Sequence, residues 1–321
     1  MENNEVLNVS NIVKTYGEQV VLNNVSLHIN SGEIYGFVGE NGAGKTTLIR
    51  VITGLIYPDS GTYSLFGVDY KDSKIHEVRK NVGAIVESPS IVPSYNAYKS
   101  LKYQASLLGK KIEDREINDI LAFVGLNNDA AKKPSANFSL GMKQRLGIAI
   151  ALVGDPKFLV LDEPINGLDP VGIVELRNLI IKLKEEKGIS FLISSHILSE
   201  LDLVADRFGF ISHGSLLKET TKEEIHNECN KKTIISTSNP GVSFDIIKKH
   251  IKDEKTYIDA SGNVVIEAAN LDISSIVTEI AKEGIAITNI SSHEGSLEEY
   301  YLRIIGGKSQ ELDKAIGDQN A

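Results

Sequence analysis

The sequence predicts an α/β fold, a mostly parallel sheet carrying helices, with an antiparallel β portion and a helical insertion. Behind it a small α+β domain of ferredoxin-like order is predicted. Three observations carry this. A glycine-rich loop at 39–46 joins a strand-length apolar run to a segment with helical spacing. Three more apolar runs, at 82–87, 158–163 and 190–195, lead to Glu87, to Asp162-Glu163 and to His196, and read as buried strands. After about residue 220 the pattern changes to strand, helix, strand, strand, helix, strand.

Residues 5–30 alternate in places, at Val6, Asn8, Val20–Leu22 and Val25–Ile29, which predicts short antiparallel strands. Between them lies the turn Lys14-Thr15-Tyr16-Gly17. Tyr16 there is either an aromatic that stacks on a base or a surface tyrosine. Glu33–Val38 is a strand, and Thr47–Ile52 has helical spacing. The loop between them, Gly39-Glu40-Asn41-Gly42-Ala43-Gly44-Lys45-Thr46, reads G-x-x-x-x-G-K-T. In that strand–loop–helix context it is a P-loop. A phosphate needs several inward N–H groups, hence a tight turn, which Gly42 and Gly44 permit. The following helix adds the partial positive charge of its N-terminus. Lys45 reaches the β- and γ-phosphates, and the Thr46 hydroxyl ligates Mg²⁺.

Pro58–Gly61 is a turn, followed by a strand through Gly67. The strand at 82–87 ends in a carboxylate, and Ser88-Pro89 and Pro93 then break regular structure. Helical spacing from Tyr95 to Leu108 and from Asp114 to Val124 makes about 90–155 a helical insertion. Within it, Ser139 is placed as an N-cap beside Gly141. That is either an anion site or an ordinary helix start. In Lys157–Pro164 the continuous apolar strand ends in two acids. Ligands of parallel sheets bind outside the carboxyl ends of the strands. Asp162 at that edge suits Mg²⁺, and Glu163 can face a water in line with a γ-phosphate. Asn166–Pro170 forms the next loop, and His196, after the strand at 190–195, shares the same edge. Strands at 208–212 and 215–218 around Gly214 close the core.

The length, 321 residues, suits two domains, set here at 1–220 and 221–306, with a polar and disordered tail at 307–321. In the second, strands are expected at 233–237, 256–259, 264–268 and 285–290, and helices at 242–250, 273–283 and 296–304. No catalytic constellation is recognisable in it. Hydrophobic residues at 41% and charged residues at 24% are ordinary for a globular chain. A net charge of −9 argues against nucleic acid as a partner. The one cysteine, Cys229, reads as a passive thiol in a reducing compartment. The N-terminus does not read as a signal peptide, and no run approaches the roughly 20 apolar residues of a membrane helix. A membrane role therefore requires a partner.

Together the motifs resemble the nucleotide-binding subunit of an ABC transporter, over about residues 5–220. Residues 39–46 look like Walker A and 158–163 like Walker B, with Glu163 as catalytic base. Residues 138–142 stand where the family has its signature sequence, 166–169 where it has the D-loop, and His196 where it has the switch histidine. Tyr16 then looks like the adenine-stacking aromatic. The resemblance implies ATP and Mg²⁺ as cofactors. Gly39, Asn41, Gly42, Gly44, Lys45, Thr46, Thr47 and Asp169 fall at nucleotide-binding positions, and Thr46, Asp162 and Glu87 at metal positions. Lys45, Glu163 and His196 fall at catalytic ones. It also implies a head-to-tail dimer in which Ser139 and Gly141 of a second copy close over the γ-phosphate. The partner would be a permease, and the subunit would sit peripherally on the cytoplasmic face of the membrane.

Two departures stand out. The signature reads Phe138-Ser139-Leu140-Gly141-Met142, without its first glycine and its glutamine, and Glu87 replaces the usual Q-loop glutamine. With the trailing domain ending in Ser296–Leu302, they are similar to the bacitracin-resistance and lantibiotic-immunity exporters. Export of a peptide antibiotic or another drug is the expectation. The alternative is a soluble ATPase of the same family acting on a macromolecular partner, but the chain lacks the tandem cassettes, long coiled coil or basic arm this would need.

Overall fold

A computed structural model describes residues 4–228, 232–251, 255–268, 271–293 and 297–306. The expectations for Cys229, Ser296 and the tail at 307–321 lie outside the described residues. The chain forms two compact units, Met1–Thr221 and Lys222–Ala321.

Unit 1 opens with β1 (Glu5–Tyr16) and β2 (Gln19–Asn30), an antiparallel pair of twelve residues each. They are longer than the short strands expected. The pairing shifts register at four places, and Asn11 and Asn24 adopt positive φ. Each bulge resets the two-residue alternation, so the sequence pattern reads as broken. β3 (Ile34–Val38) leads into the P-loop and α1 (Lys45–Ile52). β4 (Ser60–Leu65) and β5 (Val68–Asp69) complete a sheet of order β2-β1-β4-β5. A short α2 (Ile75–Val78) precedes β6 (Val82–Ile85).

The helical insertion holds α3 (Ala97–Leu107), α4 (Asp114–Phe123), α5 (Asn128–Ala131) and α6 (Leu140–Leu152). Then come β7 (Phe158–Asp162), α7 (Pro170–Lys187), β8 (Ser190–Ser195), α8 (Leu198–Asp202), β9 (Arg207–Ser212) and β10 (Ser215–Thr221). Residues 170–187, given no element above, are thus a helix. Leu176, Leu179, Ile180 and Leu183 are its buried stripe, Asp169 caps its start, Pro170 opens it, and Gly188 ends it at φ 62°.

The central sheet has six strands in the order β10-β9-β3-β8-β7-β6, parallel except for β10. Ile34–Val38, Phe158–Asp162 and Ser190–Ser195 are buried along their whole length. That explains their continuous apolar runs, since helices or the other sheet cover both faces. Phe37, Leu48, Phe158, Val160 and Leu192 join the inner residues of β1 and β2 in one core.

Unit 2 runs α9 (Lys222–Glu228), β11 (Lys232–Thr237), α10 (Pro240–His250), β12 (Lys255–Ile258), β13 (Val264–Glu267), α11 (Ile273–Lys282), β14 (Ile287–His293) and α12 (297–306). Its four-stranded antiparallel sheet has the order β12-β13-β11-β14, the ferredoxin-like arrangement expected. Ile235, Val264 and Ile266 of the sheet pack on Ile247, Ile276 and Ile280 of the helices.

Leu192 has no exposed surface and sits at the centre of the nucleotide-side core. Leu192→Ala is expected to cost about 2–5 kcal/mol by lost transfer energy plus a cavity. The midpoint of urea unfolding should fall accordingly, and an unchanged midpoint would place the core elsewhere.

Candidate functional site

The P-loop takes its shape from two close approaches. A Cβ on Gly39 would lie 2.4 Å from the Ile211 carbonyl oxygen, so only glycine lets β9 pack there. Gly44 holds φ 109°, and a Cβ there would come within 2.8 Å of the Val21 oxygen. Helix α1 starts immediately afterwards, and no side chain caps it. Its first N–H groups are therefore free to meet an anion, with the helix dipole behind them. Lys45 is 95% buried; its ammonium donates to the carbonyls of Gly39 (2.6 Å) and Glu40 (3.1 Å).

Register does the rest. Strand β8 lies between β3 and β7, and all three run parallel. Val38 pairs with Ser195, and Asp162 pairs with Ser194. The P-loop, the two acids and His196 therefore leave the sheet at one edge. Thr46 Oγ1 donates to Asp162 Oδ2 at 2.9 Å. Glu163, in the left-handed region at φ 48°, points one carboxylate oxygen at Lys45 Nζ (3.2 Å) and the other at His196 Nδ1 (2.7 Å). An ionised carboxylate only accepts, so Nδ1 carries the proton in this pair. Glu163 thus sits between the Lys45 ammonium and the His196 ring.

A cleft of about 370 Å³ opens over the P-loop. Tyr16, Asn41, Gly42, Gly44, Lys45, Thr46, Thr47 and Glu163 line it. Tyr16 stands at its far end, 47% exposed, with Lys14 Nζ 5.6 Å from its ring centre. Lys14 is itself tied to Asp59 at 2.7 Å, which steadies the strand that carries the ring. The exposed ring can stack on a base while the loop holds the phosphates. Gln19 and Val21 also line the cleft and were not anticipated. Their side chains enter it because the β1–β2 hairpin folds back beside the loop, which no local motif announces.

Ser139, Gly141 and Asp169 lie elsewhere. Ser139 caps α6 by accepting from the Met142 N–H at 3.3 Å, and Asp169 caps α7 by accepting from the Gly172 N–H at 3.0 Å. The two helix starts share a cleft of about 330 Å³ with Met142 and Arg145, and none of its lining residues belongs to the P-loop cleft. Within one chain, then, the start of α6 and the P-loop are not brought together.

Glu87 departs from the expected position. The ladder of β6 with β7 ends at Ile85–Leu161, so the strand stops two residues short of Glu87. Glu87 then takes φ 62° and forms an ion pair with Arg50, on the P-loop helix. Its side chain is 59% exposed. The structure engages it with Arg50 and not with the Thr46–Asp162 pair.

The donor set at that pair fits Mg²⁺. Thr46 spends its proton on Asp162, which leaves the lone pairs of its oxygen open, and one carboxylate stands beside them. Among the described residues no group of three or more His, Cys, Asp or Glu could hold a metal. That suits an ion that keeps water and takes its other ligands from substrate phosphates.

An uncapped helix start suited to phosphates, with two carboxylates and a histidine at the same sheet edge, is the arrangement of a P-loop ATPase. The profile of the family described as "ABC transporter" matches residues 22–166. The chain is 38% identical over 304 residues to the bacitracin transport ATP-binding protein BcrA of Enterococcus faecalis, covering 94% of this chain and 97% of that one. It is 44% identical over 214 residues to the lantibiotic transport ATP-binding protein SrtF of Streptococcus pyogenes, covering 67% and 90%. A dimeric ATP-binding cassette, MJ0796, solved in a post-hydrolysis state with ADP and phosphate, superposes with a TM-score of 0.61 at 25% identity, covering 67% and 98%. The chain belongs to the ATP-binding subunits of ABC transporters and is an ATP-hydrolysing enzyme. The alternative of a non-transport ATPase is not favoured.

An exposed ion pair such as Arg50–Glu87 is worth about 0–1 kcal/mol. Glu87→Gln keeps one oxygen for Arg50 and is expected to hold steady-state ATP turnover within about fivefold of wild type. Complete loss of hydrolysis would mean that the carboxylate itself is required.

Proposed function

We propose that this subunit powers the export of a peptide antibiotic, of bacitracin or lantibiotic type, through a separate permease. One observation carries this reading: the similarity to the bacitracin transport subunit spans 94% of the chain and so includes the second unit as well as the cassette. No helix among the described residues is long and apolar enough to cross a membrane. By its similarity to transport ATP-binding subunits, it works as a peripheral protein, on the cytoplasmic face, against a membrane-spanning partner. The groove of about 410 Å³ bordered by Leu55, Arg79, Pro89, Gln104, Leu108 and Ile150 is the proposed seat of that partner. Leu55 and Tyr57 beside the core are 65% and 75% exposed, which supports an apolar contact there.

ATP is held with its base on Tyr16 and its phosphates in the P-loop. Thr46 and Asp162 would hold Mg²⁺, which would neutralise charge at the phosphate oxygens. Lys45 exchanges the Glu163 carboxylate for phosphate, which frees Glu163 to take a proton from the attacking water. A positioned general base contributes about 10²–10⁴-fold in rate. Freed of Glu163, His196 turns to the γ-phosphate and, with Lys45, stabilises its charge. That the P-loop and the start of α6 line separate clefts supports a head-to-tail dimer. In it Ser139 and Gly141 of one copy complete the site of the other, and Asp169 lies at the seam.

Glu163→Gln is expected to bind ATP, to hydrolyse it at least about 10²-fold more slowly, and to accumulate as a dimer with ATP bound. Turnover near wild type in that variant would remove Glu163 from the role of base. Coexpression of the wild-type subunit with its permease should raise the bacitracin or lantibiotic concentration a sensitive host survives, and Glu163→Gln should not. Equal protection by both would contradict coupled export.

A further inference from the structure

Between the two acids and the P-loop stands a residue to which neither motif nor mechanism assigns a part. Ser194 is completely buried in β8. It is the parallel-ladder partner of Asp162 on one side and of Phe37 on the other. Ladder partners in a parallel sheet share a face, so its hydroxyl meets the Asp162 carboxylate directly. Ser194 Oγ lies 2.6 Å from Asp162 Oδ1 and 3.0 Å from the Glu163 amide nitrogen. An ionised carboxylate only accepts and an amide only donates. The hydroxyl therefore donates to Asp162 and accepts from Glu163.

We propose that Ser194 is a positioning residue for the metal side of the ATPase site: by holding Asp162 Oδ1, it turns Oδ2 toward Thr46 and the cation. This rests on the assignment of Asp162 and Thr46 to Mg²⁺ made above. Asp162 is itself 99% buried, so a carboxylate that lost this bond would find no water to replace it. Its two oxygens are divided, one to Ser194 and one to Thr46, and the division fixes the plane of the carboxylate. The Glu163 side is less dependent on the hydroxyl. The same amide also reaches the Ser194 carbonyl oxygen at 3.2 Å, and that contact survives any substitution of the side chain. The loss should therefore fall first on the metal and only second on the base.

The test separates these terms through nucleotide affinity, with no hydrolysis required. The affinity for ATPγS is measured by calorimetry with saturating Mn²⁺ and with EDTA, for wild type, Ser194→Ala and Ser194→Cys. Cysteine fills the serine's volume with a poor donor, so it controls for a cavity. Groups that orient a metal ligand typically contribute 10–100-fold, so the Mn²⁺-dependent gain in affinity should shrink by about 10-fold or more in both variants. Affinity in EDTA should stay within about twofold, because the P-loop contacts to phosphate are untouched. A Mn²⁺-dependent gain equal to wild type in either folded variant, checked by thermal melting, would overturn the proposal. Glu163→Gln, assayed in parallel for turnover, isolates the separate question of the base: its failure would leave the Mn²⁺ result standing.

Discussion

Everything at this site depends on the register in which β8 is paired between β3 and β7. Three parallel strands end level with one another, and each delivers one part of the chemistry. β3 gives the P-loop with Lys45 and Thr46, β7 gives Asp162 and Glu163, and β8 gives Ser194 and His196. A slip of one residue in β8 would turn Ser194 to the opposite face and break the contact with Asp162. The register is secured by burial rather than by the polar residues themselves. All three strands are buried throughout, and Phe37, Phe158, Val160 and Leu192 lock them against α1 and the antiparallel sheet.

That arrangement also makes the charges of the site self-compensating. Lys45 is almost fully buried, yet it is satisfied by two carbonyls and the Glu163 carboxylate. Burying an unpaired charge is costly, and the pairing offsets that cost. The left-handed backbone at Glu163 stores strain of order 1–3 kcal/mol, held by the amide's contacts to Ser194.

Much of this was legible in the sequence, for a physical reason. Phosphate binding by a loop needs glycine, lysine and threonine at fixed local spacing, so Gly42–Thr46 announce themselves. Buried parallel strands read as apolar runs, which puts Asp162, Glu163 and His196 at one edge. The order of the second unit followed from its alternation of patterns. What stayed hidden depends on contacts between distant residues. Ser194 meets Asp162 across 32 positions of chain, and Arg50 meets Glu87 across 37. The same holds for Gln19 and Val21, whose entry into the cleft follows from how a hairpin folds back. The bulges of β1 and β2 erased the alternation that would have shown their full length, and α7 escaped notice although its buried leucines recur at helical spacing.

Glu163, Lys45 and Thr46 line one cleft, while Ser139 and Gly141 border another, and the proposed function makes these the two halves of one site. The central claim is that two copies exchange these halves. Complementation between two disabled chains measures it most directly: Lys45→Ala, lacking the P-loop cation, and Ser139→Arg, lacking the closing helix start. Each alone should be nearly inactive. An equal mixture should recover ATPase activity on the order of a quarter of wild type, because half the dimers are mixed and each of those carries one intact composite site. Activity in the mixture no greater than the average of the two variants would contradict the account, as would full turnover by the Ser139→Arg chain alone.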